Sequence, residues 1–314
     1  MPGGLEPELS QTVAPASCGR GLAVRSYLIL SVDGGGARGV MPAALLRDIV
    51  ERVPVMEKVS VLAGTSTGAL IALGLASGMD PKGFVELYMR HGREIFSRSA
   101  WRRLTSLGGL VRSKYDNNNL QRVLKTWFPL DLKLGQLKRR IVVPSFRLVG
   151  DAKQKSWHPV VFHNFPDSPH LDESVFDVAM RSSAAPTYFP SYQGYVDGGV
   201  AANDPTAVAL ALAINRGVEP SEIVVISLGT GQIRRTIDKQ RVEWGLLQWL
   251  LQPNIVNLIL DAQSGVAQYL AENIVHLSED PRTPVRPRAY NARLAALVQA
   301  TGDPARRLAQ TGST

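Results

Sequence analysis

Three short polar runs hold the residues of this chain that could do chemistry: Gly64-Thr65-Ser66-Thr67-Gly68, Asp197-Gly198-Gly199 and Asp33-Gly34-Gly35-Gly36-Ala37-Arg38-Gly39. Serine is a weak nucleophile near neutral pH and needs a base within hydrogen-bond reach. Ser66 stands between glycines two residues away on either side, the pattern of a sharp elbow whose neighbouring backbone leaves no room for a side chain. A carboxylate becomes a useful base when burial with few charged neighbours lifts its pKa. Asp197 is the candidate, because the two glycines after it let its turn approach another loop closely. Acyl transfer also needs donors for a developing oxyanion, each contributing on the order of 3 kcal/mol. The N–H groups of Gly34, Gly35 and Gly36, at a helix start beside Arg38, are suited to that task.

The elements that must position these runs follow from periodicity. Val59 to Ala63 is β-branched and extended in character, and Ala69 to Ala76 reads as a helix buried on most sides. Tyr27 to Val32 is a strand that enters the glycine loop directly, and Met41 to Val53 has helical spacing with Pro42 in its first turn. The opening is thus strand, glycine loop, helix, strand, elbow, helix, a βαβ unit with parallel strands. Further helices are expected at Asp80–Phe96 with Asp80 as N-cap, and at Asn117–Trp127, Asp172–Arg181, Pro205–Asn215, Trp244–Leu251, Ile255–Leu270 and Tyr290–Val298. Strands are expected at Arg140–Leu148, Val160–His163, Tyr195-Val196, Ile223–Leu228 and Ile274–Leu277. The alternation predicts a three-layer α/β domain, a mostly parallel central sheet with helices on both faces. Ligands of such sheets sit outside the carboxyl ends of the strands, where the three polar runs would converge. The expected organisation is a flexible tail over 1–25, one domain over 26–280 carrying a basic, lid-like insertion at 97–115, and a C-terminal helix and tail over 281–314.

Hydrophobic residues at 45% and charged residues at 20% of 314 are ordinary for a globular protein, and no segment approaches the roughly 18 apolar residues of a membrane span. Residues 1–25 lack the apolar stretch of a signal peptide. Cys18 is the single cysteine, so neither an intramolecular disulfide nor a cysteine zinc site can form, and a reducing, cytoplasmic setting is expected. The formal net charge is +8, yet Arg93 to Arg140 alone holds twelve Lys and Arg against Glu94, Asp116 and Asp131. Such a concentration points to an anionic partner, with a solvated face as the plain alternative. Trp101, Leu104, Leu107, Leu110 and Val111, interleaved with the charges, favour peripheral contact with an anionic membrane over nucleic acid.

Gly34 to Gly39 also satisfies the dinucleotide pattern Gly-x-Gly-x-x-Gly, but Asp33 would set a negative charge beside the pyrophosphate and the next strand ends in the serine elbow. A Ser-His-Asp triad in that chain order would require a histidine after Asp197. Only His276 qualifies, on the strand expected at 274–277. His91, His158, His163 and His170 precede Asp197 without metal-ligand spacing, and neither a metal nor a cofactor is expected.

In sequence order these motifs resemble the patatin-like phospholipases, whose pattern is Asp-Gly-Gly-Gly-x-Arg-Gly, then Gly-x-Ser-x-Gly, then Asp-Gly-Gly or Asp-Gly-Ala. Two supporting stretches also look like the family, Ser183-Ala184-Ala185-Pro186-Thr187-Tyr188-Phe189-Pro190 and Asn203-Asp204-Pro205. The resemblance spans Tyr27 to Gly231 and implies a patatin-like fold, with Ser66 as nucleophile and Asp197 as base of a Ser/Asp dyad. It makes Gly34, Gly35, Gly36 and Arg38 the oxyanion loop, supported by Asp33, Gly39, Gly64, Gly68, Gly198 and Gly199. The implied reaction is hydrolysis of fatty acyl esters of phospholipid or another lipid, of phospholipase A or lysophospholipase type, through an acyl-enzyme and without a metal. Ala37 falls at the family's variable position, and nothing after Asp280 matches a motif. The short, one-domain form also resembles bacterial patatin-like effectors switched on by cyclic nucleotides, which would add a nucleotide activator, although no residue pattern here carries that switch. A membrane- or nucleotide-binding module without activity is the remaining reading, opposed by intact Ser66, Asp197 and Arg38.

Overall fold

The computed structural model describes residues 26–95, 113, 115–150, 154–231 and 255–276. The 1–25 tail, nearly all of the 97–115 insertion, the helices expected at 244–251 and 290–298 and the 281–314 segment lie outside the described residues. In chain order the elements are β1 (Tyr27–Val32), α1 (Val40–Arg52), α2 (Val55–Lys58), β2 (Val59–Gly64), α3 (Thr67–Ala76), α4 (Gly83–Ile95) and α5 (Asn117–Trp127). Then follow β3 (Arg140–Arg147), β4 (His158–His163), α6 (Val175–Ser182), β5 (Tyr195–Val196), α7 (Gly199–Ala202), α8 (Thr206–Ile214), β6 (Ile223–Leu228) and α9 (Ile255–His276).

The expected three-layer architecture is present. The sheet runs β4-β3-β2-β1-β6, with β5 also on β3. The pairs β1–β2, β1–β6 and β2–β3 are parallel, while β4 and β5 lie antiparallel to β3. Leu28, Leu30 and Val32 of β1 enter one core with Ala43 and Leu46 of α1 and the whole apolar run of α3. Ile29, Val61, Ala63 and Val142 enter a second core, closed by Ala209, Leu210 and Ala213 of α8. Burial on both faces is why these strands read as unbroken apolar runs instead of alternating ones. All ten residues of α3 are buried, as its all-round hydrophobicity requires.

One consequence of this register decides where the site lies. Because β4 occupies one edge of β3 along Val142 to Arg147, β2 and β5 must share the other. β2 takes Arg140 to Val142 and β5 takes Phe146 and Arg147. The two run in opposite directions, so their carboxyl ends face each other across a bare stretch of β3 at residues 143–145. The elbow after β2 and the Asp-Gly-Gly turn after β5 are thereby delivered to one point.

Of the differences from the expected elements, three have a visible cause. Asp80-Pro81 forms a turn ahead of α4, with Asp80 Oδ1 accepting the Lys82 N–H at 3.0 Å, and the helix starts at Gly83. α6 starts at Val175 instead of Asp172, because Ser174 bridges to Lys133 and the Val175 N–H is held by the Leu132 carbonyl at 2.9 Å. The strand expected at 274–277 does not form. α9 continues through His276, and Leu260, Gln263, Ala267, Ala271 and Ile274 recur on its covered side at helical spacing.

Candidate active site

Ser66 sits at φ 54, ψ −120 between β2 and α3, a region that costs a non-glycine residue of order 1–3 kcal/mol and persists only where the surroundings enforce it. They do so here through backbone contact. A Cβ on Gly64 would strike the Gly68 carbonyl, and one on Gly68 would strike the Val32 and Asp33 carbonyls. Both glycines of the elbow are therefore steric necessities. The Thr65 N–H bonds to the Val32 carbonyl at 3.2 Å, tying the elbow to the end of β1, and the Thr65 hydroxyl bonds to the Ala202 carbonyl at 2.7 Å.

Ser66 Oγ donates to Asp197 Oδ2 at 2.6 Å. The other carboxylate oxygen accepts the Gly199 N–H at 2.7 Å, which leaves one lone-pair face of Asp197 committed to the serine. Asp197 is 6% exposed. Burial pushes its pKa up from 3.8 to about 6, against the Ser66 and Gly199 hydrogen bonds, which pull it down by favouring the charged form. Gly198 is pressed against β3, since a Cβ there would meet the Pro144 carbonyl.

The glycine loop after β1 also borders the serine, since a Cβ on Gly34 would lie 3.5 Å from the Ser66 Cβ. Gly35, Gly36 and Arg38 line the same cavity as Ser66 and Asp197, and Gly34 does not. The Gly34 N–H is already given to the Asn203 carbonyl at 3.0 Å, so the expectation that Gly34 supplies an oxyanion donor is corrected: its donor is spent on holding the loop. Among the described residues, the N–H groups of Gly35 and Gly36 have no acceptor. Neither has that of Thr67 in the first turn of α3, a position where helical N–H groups lack intrahelical partners. Arg38 stands at the cavity edge with its guanidinium on the Gly231 carbonyl at 3.2 Å, and Gly39 closes the turn into α1.

Asp33 lies behind this loop, outside the cavity lining. Burial, with Asp204 adding to it, raises its pKa to about 8, and its Oδ1 has no partner among the described residues. Asn203 and Asp204 act as struts. The first holds Gly34 and donates to Ser264 of α9 at 3.0 Å, and the second, just ahead of α8, accepts the Thr206 N–H at 2.9 Å.

The cavity above the Ser66–Asp197 pair measures about 430 Å³, a size usual for small-molecule sites. Its walls are mainly apolar, with Leu70, Ile95, Leu120, Phe189, Val200 and Leu260 among them and Tyr88, Tyr115 and Tyr188 supplying aromatic surface. No described residue lining it is a histidine. Ile95, just ahead of the expected insertion at 97–115, and Tyr115, its last residue, both line the cavity.

Sequence reasoning missed two contributors. The Tyr88 hydroxyl donates to the Thr67 carbonyl at 2.9 Å and lies 2.5 Å from Thr67 Oγ1, bracing the first turn of α3. Ser182 touches the backbone of Ser66 itself. Its neighbourhood was marked by the Ser183 to Pro190 motif, but no spacing rule connects position 182 with position 66.

The chain is similar to several known proteins. The family model of patatin-like phospholipases matches residues 30–210. The putative sporulation hydrolase CotR of Bacillus subtilis is 36% identical over 224 residues, covering 70% of this chain and 68% of its own. Protein teg of Priestia megaterium is 35% identical over 223 residues, with 70% and 68% covered. Among solved structures, VipD from Legionella pneumophila aligns over 79% of this chain and 67% of its own at 14% identity, and its TM-score of 0.38 is too low to support any argument.

Proposed function

The chain belongs to the patatin-like phospholipase family, and from that premise we propose that it is a lipid acyl hydrolase of phospholipase A or lysophospholipase type working through a Ser66/Asp197 dyad. The observation that carries this reading is the buried 2.6 Å bond from Ser66 Oγ to Asp197 at the floor of an apolar cavity. A carboxylate lifted to about 6 is ionised at neutral pH yet more basic than an exposed one. It can take the serine proton as Oγ attacks the ester carbonyl.

The oxyanion that forms is met by the Gly35 and Gly36 N–H groups on one side and the Thr67 N–H, with the positive end of the α3 dipole, on the other. Collapse breaks the ester C–O bond, and Asp197 returns the proton to the departing alcohol. Water then attacks the acyl-enzyme while Asp197 accepts its proton. The second collapse releases the fatty acid and restores the hydroxyl of Ser66. The acyl chain occupies the wall of Leu70, Leu120 and Phe189, and no metal takes part in this scheme.

The twelve Lys and Arg between Arg93 and Arg140 support contact with an anionic lipid surface, made from the periphery, since among the described residues no helix is long and apolar enough to cross a membrane. Binding to vesicles of phosphatidylglycerol and phosphatidylcholine that weakens with added salt is the expected result. Salt-independent binding, or none, leaves the basic face a solvating one.

The deciding test of the reaction is product analysis by mass spectrometry on a mixed lipid extract, with Ser66→Ala as control and a fluorophosphonate to trap the nucleophile. Free fatty acid from the unaltered protein alone, and a label on Ser66, are expected. A label elsewhere, or equal products from the variant, would sink the proposal.

A further inference from the structure

Ser182 ends α6 and is fully buried. Its hydroxyl accepts the Ser66 N–H at 3.1 Å and donates to the Pro144 carbonyl at 2.7 Å. Its own carbonyl accepts the Gly198 N–H at 3.1 Å, one residue beyond Asp197. Both halves of the dyad are thus tied to one residue.

Backbone accounting explains why a hydroxyl stands there. Between the ends of β2 and β5 the edge of β3 has no strand beside it, yet the region is buried, and buried backbone groups left unpaired are costly. Pro144 has no N–H to place but does present a carbonyl. Ser66, held at φ 54, presents an N–H that no strand receives. A hydroxyl accepts and donates at once, which among small side chains only serine and threonine do well. The neighbouring Ser145 hydroxyl serves β3 in a similar way, donating to the Val196 carbonyl at 2.9 Å.

From this geometry we infer that Ser182 is the positioning residue of the dyad: its hydroxyl sets where Ser66 stands relative to Asp197, and its carbonyl holds the turn that brings Asp197 in. The inference rests on the dyad proposed above. Ser182 does not line the cavity, so it acts through Ser66 and leaves substrate binding alone. Without its hydroxyl the strained elbow relaxes and carries Oγ away from the carboxylate, and a displacement of ~1 Å costs on the order of 100-fold in rate. The Ser66 hydroxyl also holds the pKa of Asp197 down. Once it is displaced, burial drives that pKa higher and the acid limb of the rate profile moves to higher pH.

The experiment compares the unaltered protein with Ser182→Ala, Ser182→Thr and Ser182→Cys on p-nitrophenyl butyrate, separating kcat from KM and following kcat/KM across about pH 5–9. Ser182→Ala should lose on the order of 10- to 100-fold in kcat with KM changed less than about twofold, its acid limb shifted upward. Ser182→Thr, which keeps the hydroxyl, should recover both. If Ser182→Ala does not fold, the near-isosteric Ser182→Cys, weak at both bonds, should show the same changes in smaller measure. Undiminished kcat with an unmoved acid limb in a folded Ala or Cys variant overturns the inference, as does an equal loss in Ser182→Thr, which would assign the effect to packing. An unaltered protein that neither cleaves the ester nor reacts with a fluorophosphonate at Ser66 overturns the dyad itself, a distinct outcome.

Discussion

Replacing Asp197 by asparagine should separate activity from stability in opposite directions. The amide fits the site: its oxygen can keep the Gly199 N–H now held at 2.7 Å, while its NH₂ turns to Ser66 and donates where the carboxylate accepted. A group that donates to Oγ cannot take its proton. General-base assistance contributes about 10²- to 10⁴-fold, so kcat/KM on a soluble ester should fall by that factor, about 3–5 kcal/mol in the barrier. Stability should move the other way. Asp197 rises from 3.8 to about 6 on folding, so the folded state holds its proton more tightly than the unfolded one. The stability associated with the protonated form is full below pH ~4 and is lost as pH climbs through about 6, a loss of roughly 3 kcal/mol by pH 7. Asparagine carries no such loss. Thermal denaturation of Asp197→Asn should therefore give a higher Tm than the unaltered protein at pH 7 and little difference at pH 4. Retention of more than about a tenth of the activity would place the base elsewhere, since even the weakest general base contributes more than that. A Tm lowered equally at both pH values would refute the account of the buried carboxylate.

Three further outcomes follow from named contacts. Ser66→Gly should be more stable than Ser66→Ala by about 1 kcal/mol in urea denaturation, because only glycine relieves φ 54; equal stabilities would mean the elbow is unstrained. Gly68→Ala, whose Cβ meets rigid backbone carbonyls, should lose more than about 2 kcal/mol, whereas Gly83→Ala, with open space around it, should be nearly neutral. Leu120→Trp narrows the apolar wall of the cavity and should raise KM for long-chain p-nitrophenyl esters about tenfold while sparing the butyrate; an unchanged chain-length series would move the acyl site away from that wall.

Ser66, its flanking glycines and the strand and helix around them were legible in the chain because their constraint is local: a strand-to-helix elbow demands small residues at fixed offsets wherever it occurs. The β1 and β2 runs were legible for a similar reason, since burial on both faces writes itself as an unbroken apolar stretch. The end of α9 was not. Ile274 and Val275 are β-branched and taken alone suit a strand, but packing along Gln263, Ala267 and Ala271 keeps them helical, tertiary contact overriding propensity.

The sequence by itself determined that a serine on an elbow, a glycine loop and an Asp-Gly-Gly turn exist in this chain, and that they resemble one family. Only the tertiary structure decided that β5 runs against β2 along the same edge of β3, which sets Asp197 2.6 Å from Ser66. It also decided that the Gly34 N–H is given to Asn203 and that the Ser182 hydroxyl fills the gap in the ladder. Those three facts depend on which long-separated backbone groups come to lie side by side, and register between strands is a property of the packed sheet that no local pattern encodes.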